Sequence, residues 1–159
     1  MNQPLIALLE QAWAHHKYAV LEKDPAAYQA IRTLLKDKVS PDETRFWELI
    51  ETAMAQPSDP GRENNAILHV WGYFKDKASS QEKAAFESKH SLWLAKQLPL
   101  KGVKQELFAL SVKYEMHYLL ESTYFDEVRP RLRSSYEDSR WRNSDRLSSL
   151  DCRYTRILP

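Results

Sequence analysis

Between Asn64 and Phe86 the chain reads NNAILHVWGYFKDKASSQEKAAF, and this stretch gathers side chains able to bind ligands or move protons around one glycine. On a helix turning about 100° per residue, Asn65, His69, Gly72, Tyr73 and Asp76 fall on one side, and Ile67, Val70, Trp71 and Phe74 on the other. An imidazole titrates near neutrality, while amide and phenol groups can hydrogen-bond a ligand. Glycine lets a second backbone or a phosphate come close, and inside a helix it costs about 1 kcal/mol relative to alanine. Gly72 therefore predicts either tight helix packing or a ligand near the backbone; the plainer alternative is a polar stripe satisfied by water or by a neighbouring helix.

A second set of residues suits nucleic acid. RNA binding asks for cations at the phosphates and flat side chains under the bases. Lys17, Lys75 and Lys77, beside Tyr18, Tyr73 and Trp71, supply both on the body of the chain. Beyond residue 128 the texture changes: residues 129–159 hold eight Arg, no Lys and four acids, whereas residues 1–128 carry 15 basic against 18 acidic side chains. Arg129, Arg131, Arg133, Arg140 and Arg142, around Tyr136 and Trp141, are suited to phosphate forks and to stacking. Pairing of these Arg with Glu137, Asp138 and Asp145 is the bland counter-reading.

Other chemistries find less support. None of the five His forms a His-x-x-x-His or His-Glu-x-x-His pair, so no metal is expected. The single Cys152 admits no internal disulfide, iron–sulfur cluster or thiolate zinc site, and points to a reducing, cytoplasmic setting. No apolar run approaches transmembrane length, and MNQPLIALLEQAW lacks the pattern of a signal peptide, so no membrane partner is expected. With three Gly in all there is no phosphate loop and no nucleophile elbow, which makes a non-catalytic role the favoured reading and assigns no catalytic residue and no cofactor. A small-molecule enzyme using His16 with His69 stays open as an alternative.

The elements that would position these residues are helical. At 159 residues, 43% hydrophobic and 28% charged, the chain suits one packed domain. Leu5, Leu8, Leu9, Ala12, Trp13, His16, Ala19 and Val20 mark one face of a first helix over 5–22. Asp24 with Pro25 starts a second, and Ser40 with Glu43 forms a capping box for a third. Asp59 with Pro60 starts a fourth, reaching about Lys77; Ser79 with Glu82 starts a fifth, running until Pro99; a sixth follows Gly102 and reaches Leu120. The expectation is an all-α single-domain bundle of about six helices over residues 1–132, with a basic Arg/Ser-rich C-terminal tail over 133–159.

HHKYAVLEKDPAAYQAI, NNAILHVWGYFKDKASSQEKAAF, QLPL and YEMHYLLESTYFD together resemble the YbgA-like bacterial domain of unknown function, over roughly residues 11–132. The resembling motifs fall on His16, Lys17 and Tyr18; on Asn65, His69, Gly72, Tyr73, Phe74 and Lys75; and on Tyr118 and Tyr124 near the end. The sequence departs from that pattern at Ala109 and Leu110, where the family carries a His-Tyr pair. The domain occurs alone or fused behind a thiouracil-desulfurase-type iron–sulfur domain. The resemblance thus implies a ligand site built from His16, Lys17, Tyr18, Asn65, His69, Gly72, Tyr73, Lys75, Tyr118 and Tyr124. It also implies a role beside tRNA, or in thiolated-nucleotide metabolism, with a separate desulfurase-type protein as partner. A protein-interaction module, or a homodimer, is the alternative.

Overall fold

The computed structural model describes residues 3–130. Arg131, Arg133, Arg140, Trp141, Arg142 and Cys152 lie outside the described residues. Among the described residues there are seven helices and no strand: α1 (Leu5–Lys23), α2 (Pro25–Leu34), α3 (Glu43–Met54), α4 (Pro60–Trp71), α5 (Ser80–Leu94), α6 (Leu100–Lys113) and the single turn α7 (His117–Leu120), followed by a 3-10 turn at Thr123–Phe125.

Starts of helices follow local chemistry. Asp24 accepts the N–H groups of Ala26 and Ala27, and Asp59 accepts that of Arg62, each ahead of a proline whose missing N–H leaves nothing unsatisfied. Ser79 and Glu82 close a full capping box at α5. The third cap differs from the expected one: Asp42, not Ser40, accepts the Arg45 N–H at 2.9 Å. Ser40 is held instead in a turn closed by Asp37, whose carboxylate takes the N–H groups of Val39 and Ser40.

Ends of helices differ more. α4 stops at Trp71, and residues 72–78 continue as tight turns that still bury Phe74 and Ala78. α5 and α6 both finish in six-to-one closures, Gln97 N–H to Leu92 O and Met116 N–H to Ser111 O, each with a left-handed residue between. Those residues are Lys96 (φ 60°) and Glu115 (φ 52°), where glycine is usual. The expected sixth helix is therefore two, α6 and α7, separated by the Glu115 turn. Replacing either residue by glycine relieves the side-chain strain, and Lys96→Gly and Glu115→Gly are each expected to raise the unfolding free energy by about 0.5–1 kcal/mol in urea denaturation.

α1 is the shared wall of two cores. Leu9 and Val20 face Ala27, Ile31, Phe46 and Ile50 of α2 and α3. Tyr18 and Leu21 face a larger core built from Ile67, Val70, Phe74, Phe86, Leu107, Leu119 and Phe125. Gly102 is buried in the first turn of α6, where a Cβ would stand 2.7 Å from the Leu98 side chain, so here glycine does serve close packing. The last segment hangs on α1: His15 Nδ1–H donates to Glu121 O, and the hydroxyls of Ser122 and Thr123 donate to His15 O.

Candidate functional site

The packing of α1 against the end of α4 and against α7 brings Lys17, Tyr18, Tyr73 and Tyr118 together. The ammonium of Lys17 lies 5.0 Å from the ring centres of both Tyr18 and Tyr118. This is cation–π distance. Tyr18 and Tyr73 share a hydrogen bond of 2.5 Å between hydroxyls, with their rings edge to face. Burial, then the Tyr73 bond, pushes the Tyr18 phenol far above its ordinary range, so it remains a neutral donor or acceptor at any physiological pH. Tyr118 is 39% exposed and Tyr73 half-buried, so the cluster presents aromatic surface beside a cation. Lys77 continues the pattern, 5.4 Å from the Tyr114 ring and 5.7 Å from that of Phe74.

His16, next to Lys17, belongs to a different place. It lines a cleft of about 520 Å³ together with Glu22, Lys104, Thr123, Tyr124 and Glu127 over an apolar floor that includes Ala19, Ile50 and Met54. Within it Lys104 is buried and bonded to Glu22 at 2.7 Å and to Glu127 at 3.1 Å, with its ammonium 4.3 Å from the Tyr124 ring centre. Burial raises the Glu22 carboxyl above its usual range, while Lys104 pulls it back. Burial, then His15, lowers the His16 imidazole, with Asp126 opposing, so His16 is neutral at pH 7. Thr123 directs its hydroxyl proton to His15 O, and the same oxygen lies 3.3 Å from His16 Nδ1.

The other expected site residues stand apart. Asn65, His69, Gly72 and Lys75 are exposed, and His69 takes no part in the His16 cleft. Gly72 ends α4 in ordinary right-handed geometry, and a Cβ there would meet only carbonyl groups of its own helix, His69 O being nearest at 3.1 Å. Neither a second helix nor a special backbone angle explains it. The neighbouring amide, Asn64, carries the interaction instead, bonded to His90 at 2.6 Å, with His90 in a stack with Phe86 and Trp93. Trp71 is stacked on Phe86 at 4.0 Å, as part of the core edge.

Arg129 turns inward: it donates to Leu120 O at 2.6 Å and Ser122 O at 3.0 Å and pairs with Asp126, which engages its guanidinium within the fold. Sequence reasoning passed over Glu22 and Lys104. The available signal was spacing, since Lys104 sits among Leu100, Leu107, Phe108 and Ser111, on a face that must be buried. No helix among the described residues is long and apolar enough to cross a membrane, and no group of three His, Cys, Asp or Glu there is arranged to hold a metal.

No curated protein and no solved structure matches the chain. The sequence profile of a family described as protein of unknown function (DUF1722) matches residues 17–128, most of the chain, and the chain belongs to that family.

Proposed function

We propose, with membership of the DUF1722 family as the premise, that this helical domain binds RNA, tRNA in particular, and serves as a non-catalytic accessory in thiolated-nucleotide metabolism. The observation that supports the reading is Lys17 set between the rings of Tyr18 and Tyr118, with Tyr73 beside them. Bases stack on aromatic faces and phosphates seek fixed cations, and this cluster offers both within a few ångströms. Lys75 and Lys77 extend the positive charge along the turn after α4. The resemblance to the YbgA-like domain, with its thiouracil-desulfurase-type fusions, favours tRNA over other polyanions and a separate desulfurase-type protein as partner.

The test is a salt-titrated binding measurement of the full chain against bulk tRNA, with duplex DNA as control. Tyr118→Ala with Lys17→Ala is expected to weaken tRNA binding about ten-fold or more, the size of one lost stacked base with its phosphate contact. Circular dichroism of the variant should stay helical. Equal affinity for tRNA and duplex DNA, or no binding at micromolar protein, would defeat the reading.

A further inference from the structure

A second cleft, of about 640 Å³, lies between α1 and α2 and shares no lining residue with the one beside His16. Its volume is in the range of small-molecule sites. Glu10 and Trp13 of α1 form one wall, and Gln29, Arg32 and Thr33 of α2 the other. Buried Leu35, with Lys36 and Lys38, closes the end just beyond α2. The lining thus holds three cations and one acid. Glu10 is paired with Lys38, so Arg32 and Lys36 are the surplus, and neither pairs with a carboxylate among the described residues. Asp37, between the two lysines in sequence, directs its carboxylate to the N–H groups of Val39 and Ser40 and does not line the cleft.

Basic side chains at the end of a helix often serve its last carbonyls. Here the backbone does that: Leu35 N–H donates to Ile31 O, Lys36 N–H to Thr33 O and Asp37 N–H to Leu34 O. Arg32 instead stands 5.9 Å from the Tyr28 ring centre and donates to Gln29 Oε1 at 3.5 Å, which leaves the rest of its fork open. Trp13, half-buried, packs against the same Tyr28 ring at 5.3 Å. One tyrosine therefore sets a guanidinium and a flat indole side by side at the cleft.

We infer that this cleft binds a phosphate monoester attached to a flat ring, the chemistry of a nucleotide, with the ring against Trp13 and the phosphate between Arg32 and Lys36. A guanidinium fork fits two phosphate oxygens at once, and Lys36 adds a point charge. Thr33 and Gln29 bring a hydroxyl and an amide to the sugar or the base edge. A cationic ligand would meet two unpaired cations, and a purely apolar one would cover their charge without answering it. Glu10, Trp13 and Lys17 follow at intervals of three and four along one side of α1, so the nucleotide is either a free molecule or one unit of the RNA proposed above. The inference itself does not rest on that proposal.

The experiment titrates the full chain with adenosine monophosphate by calorimetry and by tryptophan emission, with adenosine and inorganic phosphate as controls at matched ionic strength. Saturable binding of the monophosphate, tighter than that of either control, is expected. Arg32→Gln with Lys36→Gln, both exposed, should weaken it about ten-fold or more. Glu10→Gln should tighten it about three-fold, since it removes the one acid and frees Lys38; a damaged fold would not bind better. Quenching by the monophosphate should be largely lost in Trp13→Phe, which keeps a ring packed on Tyr28 and leaves the other four tryptophans in place. If the Arg32→Gln, Lys36→Gln chain also binds bulk tRNA more weakly, the cleft holds a nucleotide of an RNA chain. If its tRNA affinity is unchanged, or tRNA does not bind the native chain at all, the cleft holds a free nucleotide. Absence of saturable binding, inorganic phosphate bound as tightly as the monophosphate, quenching undiminished in Trp13→Phe, or titrations indifferent to the charge variants would overturn the inference.

Discussion

Lys104→Met is expected to lower the unfolding free energy at pH 7.5 by about 3–5 kcal/mol, because it leaves Glu22 buried without its counter-charge. The pH dependence separates this cause from simple loss of packing. Glu22 has its carboxyl raised above 4.5 in the folded state, first by burial, and Lys104 is what restrains that rise. A group with a raised folded pKa contributes stability below its unfolded value, and that contribution is lost as pH rises through the folded value. With Lys104 gone the folded value rises further, so the carboxyl is neutral over a wider range and the defect should shrink on going from pH 7.5 to pH 5. Urea denaturation at the two pH values reads this directly. Glu22→Gln combined with Lys104→Met should regain most of the loss at pH 7.5, as neighbouring mutations sharing one interaction do not add. A Lys104→Met protein equally destabilised at both pH values would show that methylene packing, not charge, is what the lysine supplies.

Arg129→Ala carries the second large expectation, about 2–3 kcal/mol, because two carbonyl oxygens lose a charged donor at once. Leu120 O and Ser122 O lie on either side of the bend joining α7 to the 3-10 turn, so the damage should be local before it is global. Hydrogen exchange is expected to speed up over residues 117–129 while the protection of α2 and α3 is kept. Arg129→Lys should recover only part of the loss, since one ammonium cannot reproduce a fork whose two nitrogens reach both carbonyls and Asp126. Uniform loss of protection across all helices would contradict the local role.

What was legible in the sequence followed from short-range chemistry. Asp24, Asp59 and the Ser79–Glu82 box act on N–H groups two or three residues away, so their helix starts could be read directly. The helix ends could not, because Lys96 and Glu115 take the left-handed position that glycine usually advertises. Lys17, Tyr18, Tyr73 and Tyr118 were each named from sequence, yet their meeting depends on how α1 crosses α4 and α7, which periodicity within one helix does not encode. His16 and His69 show the same limit from the other side: each lies on a readable face, and the faces point to different surroundings. Lys104 and Glu22 look like solvated helix charges until both stripes are seen to turn inward.

The hydrogen bonds from Ser122 and Thr123 back to His15 O span 107 and 108 residues of chain. During synthesis, the first helix therefore leaves the ribosome long before the segment that closes over it exists. Its contacts with α2 and α3 need only nearby chain and can form early. The other side of α1, with Tyr18 and Leu21, is met first by α4 and is closed only once Thr123 has emerged, at translation speeds of about 5–20 residues per second. Nascent chains of this protein thus keep the part of α1 that α4 leaves uncovered open for several seconds more, and the turns at 117–125 act as the clasp that ends its availability to chaperones.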